Sequence, residues 1–537
     1  MVMKTLLGVF LLSFALLAQK NETVDASANA KIRQEAVDHS QVMSTLHVLA
    51  DRYGPRLTGS PNFEGAARWV AATLTSWGLK NAHLEPWDFG HPGWLNERAA
   101  GYIISPVQDN LTFEVLAWTP STKGEAIGET VQLIPPAAPT KDELIAWMAQ
   151  NQNRVRGKIV LIGRATVVPV NFDPPRLRQD DAQVKARYNG DGSQPFPGRG
   201  GRGPVDPTKL TANQMAEMID PWLVENGALV RVNDAAREHG QIRAFNNRTF
   251  DVAKAVPTVV LRNEDYGRIE RLLKDGSEVR LEFNIVNHVY PEGKTSYNVV
   301  AEIPGTTNPD EVVMLGAHLD SWHAATGATD NAIGSTMMME AVRIIQTLGL
   351  KPRRTIRIAL WSGEEEGLLG SIAYVKEHFG SYEDPKPEFS KFVGYVNVDS
   401  GTGRLRGGSI FGPTEAAAAL KQALAPFQDL GFEGVLPSKA RISGGTDSST
   451  FNVAGLAGIG MQQDPIEYQS HTWHTNLDTY ERIVPEDAIK ASIVVAATVW
   501  HLANRNETLP RFTKDLMPPP GTGAPAPAPA PAKPGNQ

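Results

Sequence analysis

Cysteine is absent from the chain. That excludes a disulfide scaffold, a thiolate zinc site and a cysteine nucleophile, so any metal must be held by His, Asp and Glu. An excess of positive charge is missing too: 52 Lys and Arg stand against 59 Asp and Glu, a formal net charge of −7. A large nucleic-acid footprint needs the opposite bias. Beyond residue 18 no apolar run reaches the length of a membrane span, and a mean hydropathy of −0.26 argues against a polytopic membrane protein. What remains is 537 residues, 41% hydrophobic and 21% charged. That is the composition of a globular enzyme with more than one structural unit.

Residues 1–18, MVMKTLLGVFLLSFALLA, place one lysine before an apolar stretch that ends in small residues. This is the pattern of a secretory signal peptide, cut after Ala18 or near residues 26–28. A secreted or periplasmic location is expected, with an uncleaved anchor as the alternative. Residues 511–537 run into Pro/Ala repeats that have nothing to bury, and are expected to form a disordered tail.

Between the ends the pattern changes twice. Residues 29–79 hold helix-like stretches around the turn DRYGPRLTGSPNFEG, and short alternating segments follow (HLEPWDF, AAGYIIS, LTFEVLAW). From about 124 to 261, strand-like runs such as GKIVLIG and GALVRVN flank a long Gly/Pro/Arg/Asp-rich stretch, as in a small separate domain. Its GRGGRG lacks the following Lys-Ser/Thr of a phosphate loop. From 296 onward apolar strands alternate with amphipathic helices, which predicts an α/β fold: a mostly parallel, twisted sheet flanked by helices. Ligands of such sheets gather at the carboxyl ends of the strands.

Five acid-and-imidazole spots fall at such ends or on loops: His318-Leu319-Asp320, Asp330 in GATDNAIG, Glu364-Glu365-Glu366 in SGEEEGLLG, Asp399 in YVNVDSGTG and His474 in HTWHTNLDTY. Singly, each has a plain explanation. Asp330 could cap a helix, the three glutamates could be a solvated turn, Asp399 could open a turn, and His474 could be a surface residue. Jointly they offer two imidazoles and several carboxylates, a donor mixture that zinc accepts. A pair of ions sharing one Asp leaves room for a water between them, and a Glu not used as ligand could take its proton.

GAHLDS, GATDNAIG, SGEEEGLLGS, YVNVDS and HTNLDT, in this order, resemble the co-catalytic di-zinc aminopeptidase and glutamate carboxypeptidase family. HVYPEGKTSYNVVAEIPG and LGLKPRRTIRIALWSGEEEG look closest to its carboxypeptidase Q branch. The resemblance implies a zinc-exopeptidase catalytic domain in two pieces, 29–123 and 262–508, with a protease-associated domain inserted at 124–261. It implies two zinc ions per chain, with Asp330 bridging, His318 and Asp399 on one ion, and Glu365 and His474 on the other. Glu364 would be the general base and Asp320 the partner that orients His318. One departure is Trp473, where some relatives carry a Tyr for the oxyanion; Tyr468 or a zinc ion is then left for that task. His471, His323 and Asp447 are expected in the pocket rather than on the metal, and the other histidines on the surface or in packing. The partners implied are peptide substrates, with no nucleic acid, no membrane for the mature chain, and a homodimer left open. The activity expected is that of an aminopeptidase-type exopeptidase. A dipeptidase or carboxypeptidase is the alternative, ahead of a non-catalytic binding homologue or a glutaminyl-cyclase-like transferase.

Overall fold

The computed structural model describes residues 21–173, 175, 177–190 and 206–523. The expected signal segment, the GRGGRG stretch and residues 524–537 lie outside the described residues. Two eight-stranded sheets flanked by helices make the structure a mixed α/β fold.

The first sheet runs, in spatial order, Lys80–Asp88, Thr295–Ile303, Arg354–Trp361, Asn308–His318, Phe392–Val398, Gly458–Gln463, Leu405–Phe411 and Val435–Ser438. Its four middle strands, from Arg354–Trp361 to Gly458–Gln463, are parallel, and antiparallel pairings join the flanking strands to them. Central parallel strands are covered on both faces and so read as continuous apolar runs; all seven residues of Phe392–Val398 are buried. Helices Ile333–Thr347 and Pro485–Asn504 pack against each other and both lie on the sheet. Covered further by helices Ala26–Asp38 and Val42–His47, the first buries Met337, Met338 and Met339 in succession.

The second sheet is wider than the 124–261 segment expected from sequence. Ala126–Leu133, Ile159–Ile162, Val230–Asp234 and Thr258–Leu261 form its parallel part. Gly93–Ser105 and Arg280–Tyr290, from either side of that segment, pair antiparallel along most of their length and complete it. Part of the segment expected as tail makes contacts with the rest of the chain. Phe512 is buried with its ring 5.2 Å from that of Phe411, and Arg441 is bonded to the backbone of Pro518, Gly521 and Thr522. Apolar side chains and paired carbonyls hold 511–523 against the first sheet.

Among the described residues no helix is long and apolar enough to cross a membrane.

Candidate metal centre

Three neighbouring parallel strands of the first sheet end beside one another: Asn308–His318 in His318, Arg354–Trp361 just before the three glutamates, and Phe392–Val398 just before Asp399. Gly363 makes the turn into the glutamates at φ 69°, where a Cβ would also lie 2.8 Å from the Trp87 ring. Asp330 arrives on the loop before helix Ile333–Thr347, and His474 on the loop after Gly458–Gln463.

The structure brings all of these side chains together. His318 Nε2 lies 3.2 Å from Asp330 Oδ1, 3.4 Å from Asp399 Oδ1 and 4.0 Å from Glu364 Oε2. His474 Nε2 lies 3.1 Å from Asp330 Oδ2 and 2.9 Å from Glu365 Oε2. Asp330 thus turns one oxygen to each imidazole. His318, Asp320 and Asp330 are essentially without solvent contact. His318 Nε2, Asp330 Oδ2 and Glu365 Oε1 are buried without an aligned hydrogen bond. Orphaned donor atoms of these types, converging within 4.8 Å in the groups His318–Asp330–Glu365 and His318–Glu364–Asp399, fit a cation or a pair of them.

Electrostatics agree with that fit. Burial pushes Glu364 well above the usual carboxylate range, with Asp399 and Glu365 adding to the shift against the pull of His318. Burial likewise lifts Glu365 to about 7 and Glu366 well up. The imidazoles go the other way for charged groups: burial opposes the charge on His474, yet Glu365 and Asp330 hold it at about 9. His318 is held well above its ordinary value by Glu364 and Asp399 despite its burial. Acids this close cannot all ionise without a positive charge among them.

Asp320 meets His318 through two oxygens: its backbone carbonyl lies 3.0 Å from His318 Nδ1 and its carboxylate 3.7 Å. The carboxylate also accepts from Thr58 Oγ1 at 3.2 Å and lies 3.4 and 3.3 Å from the backbone nitrogens of Glu364 and Glu365. One residue thus touches both the imidazole and the glutamate turn.

Further residues support or adjoin the cluster. Asp478, buried and raised to about 7 by that burial, accepts from the N–H groups of Thr329 and Asp330 at 2.5 and 3.0 Å. Asn331 donates to the carbonyl of Val398, one residue before Asp399, and accepts from the N–H of Gly334. The Asp447 carboxyl is fully buried and pushed by desolvation to about 7, against the pull of His318 and Ser371. Tyr468 O–H lies 3.5 Å from Asp399 Oδ1. His323 faces away: its Nε2–H donates to Val115 O in the second sheet's region at 2.6 Å. His471 pairs with Ser470 Oγ. Three histidines expected to be plain, His288, His378 and His501, pair with acids from distant segments, Glu97, Glu85 and Glu22.

The second layer walls the centre. Phe245 packs its ring against His474 and Trp322 at 5.6 and 5.1 Å. Ile242 exchanges backbone and side-chain bonds with Asn476, and Arg243 Nε–H donates to the carbonyl of Trp473.

Imidazoles and carboxylates gathered at the carboxyl ends of parallel strands, under an aromatic wall, define a metallohydrolase site. Residues 298–499 match the model for Peptidase family M28. The chain is 27% identical to carboxypeptidase Q of Mus musculus over 470 residues, covering 87% of this chain and 86% of that protein. The crystal structure of a peptidase M28 precursor from Shewanella amazonensis SB2B is 26% identical with a TM-score of 0.63, over 91% of this chain and 99% of that one. A zinc aminopeptidase of Bacillus subtilis, 18% identical with a TM-score of 0.53 over 89% and 98% of the two chains, shares the fold. The resemblance carried by the motifs is thus shown, and the protein is an enzyme: a hydrolase of the metallopeptidase class.

Proposed function

We propose that the chain is an exported di-zinc exopeptidase of aminopeptidase type. The observation that carries this reading is Asp330, whose two oxygens meet His318 and His474 at 3.2 and 3.1 Å. His318, Asp330 and Asp399 would hold one ion, and Asp330, Glu365 and His474 would hold the other. Zinc held there would supply Lewis acidity for the scissile carbonyl and lower the pKa of an attacking water. Glu364, kept basic by burial, takes the attacking water's proton and returns it to the leaving amine. Asp320 holds Glu364 and Glu365 in place through their backbone N–H groups, and Tyr468 is the side-chain candidate for steadying the oxyanion. The second layer, read as a protease-associated unit, shapes access to the cleft.

A dipeptidase or carboxypeptidase is the second reading. Arg243 favours it: its guanidinium lies 4.5 Å from the Trp473 ring centre, beside His474, where a cation could meet a substrate's terminal carboxylate. Free dipeptides, aminoacyl amides and N-blocked dipeptides, assayed side by side, decide the matter. Cleavage of aminoacyl amides and sparing of N-blocked peptides is expected. Hydrolysis of free dipeptides alone would transfer the reading to a dipeptidase, and hydrolysis of N-blocked peptides to a carboxypeptidase.

A further inference from the structure

Arg56, in the segment DRYGPRLTGS, has no solvent contact. Among the described residues its guanidinium meets no carboxylate within ion-pair range and donates to backbone carbonyls: Nε–H to Leu319 at 2.7 Å, one terminal nitrogen to Leu49 and Thr326 at 3.0 and 2.8 Å, and the other to Gly327 at 2.9 Å. Three of those four acceptors lie between His318 and Asp330. Leu319 directly follows the first of these residues, and Gly327 precedes the second by three positions. The backbone joins in: Arg56 N–H donates to Ser321 Oγ and Ser321 N–H donates to Arg56 O, both at 3.1 Å. Gly327 is left-handed at φ 62°, and a Cβ there would lie 2.3 Å from Ser321 Cβ, so the loop is closed tightly on itself. Burial lowers the Arg56 pKa to about 10, against the pull of Asp478, Asp320 and Asp330, so the group stays charged at neutral pH.

We propose that Arg56 is a positioning residue for the metal centre, whose planar fork staples the 319–327 loop and so sets His318 and Asp330 in ligating register before metal binds. This rests on the reading of the cluster as a metal centre. A guanidinium suits the task because its five donors lie in one rigid plane and can span several carbonyls, which an ammonium cannot. Charge alone predicts the opposite effect. A fixed cation beside the site repels an incoming divalent ion, so removing it should tighten binding if electrostatics governed. If geometry governs, removing it loosens binding, and a lysine, with the charge but without the fork, does not restore it.

The test is competition titration of the metal-free protein with zinc against a chromophoric chelator, with thermal unfolding of the metal-free and zinc-loaded forms alongside. Arg56→Gln and Arg56→Lys are both expected to bind zinc about 10–100-fold more weakly, as changes in outer partners of metal ligands do. Zinc should raise their unfolding temperature less than it raises the parent's. Ser321→Ala, a milder change at the same junction, is expected to lose a smaller factor, and it decides the matter if neither Arg56 variant folds. Unchanged or tighter zinc binding in a folded Arg56→Gln, full recovery by Arg56→Lys, or unchanged binding in Ser321→Ala as the sole folded variant would overturn the proposal. A role confined to holding the fold would lower both unfolding temperatures equally and leave zinc affinity alone. Failure of the metal-centre reading itself shows separately, as absence of zinc uptake by the unaltered protein.

Discussion

Glu364 and Glu365 are adjacent in the chain yet address different histidines, Glu364 lying 4.0 Å from His318 and Glu365 2.9 Å from His474. Their roles should therefore separate on substitution. Glu364→Ala is expected to keep its zinc while kcat falls ~10²–10⁴-fold, the usual worth of a general base. Glu365→Ala is expected to lose zinc affinity and to recover part of its activity at high added metal. Zinc content beside kcat for both variants is the check; a Glu364→Ala protein that loses its metal would exchange the assignments. The residues directly around the cluster were legible because metal chemistry restricts the side-chain types, and the motifs hold them at strand ends. Asp478, Asn331 and Arg56 were not legible. Each acts through backbone N–H or carbonyl groups of loops remote in sequence, and no periodicity or spacing marks such a bond. Asp320 shows the limit from the other side: its place beside His318 could be read, but its contact with the glutamate turn depended on how the chain folds.

The strands that the sequence showed clearly, such as Phe392–Val398 and Ile159–Ile162, are mostly apolar and buried along nearly their whole length. Leu405–Phe411 carries a weaker strand pattern, because Gly407 and Gly408 interrupt its apolar residues. The first is required by the close approach of Tyr188, whose ring atoms would come within 2.3 Å of a Cβ. Elements far apart in sequence also meet through a titratable group. His378, on helix Leu369–His378, contacts Glu85 of strand Lys80–Asp88 at 2.9 Å and Glu388 at 3.6 Å. Burial works against its charge, but these acids raise its pKa from 6.5 to about 9. A raised folded-state pKa contributes stability that is complete below the unfolded value and fades as pH climbs through the folded one. His378→Gln should accordingly lower the unfolding temperature at about pH 6 and have a much smaller effect at about pH 10. Equal losses at both pH values would show that the ring serves only by stacking on Tyr374.

The two sheets meet at the candidate site, and the second does more than cover it. Ile242 and the backbone of Gly240 hold Asn476, two residues beyond His474. Asn476→Ala should weaken zinc binding by about 10-fold with the fold intact, since it frees the loop that presents a ligand; unchanged zinc titration would mean the wall acts on substrate alone. The breadth of this second sheet was hidden in sequence, because its outer strands Gly93–Ser105 and Arg280–Tyr290 are separated by well over a hundred residues and pair only in the fold. The most direct measurement for the whole molecule is zinc stoichiometry determined on the same samples as hydrolysis, before and after chelation. Two zinc ions per chain, activity lost on their removal and regained on their return are the expected result. Undiminished hydrolysis by metal-free protein would contradict it.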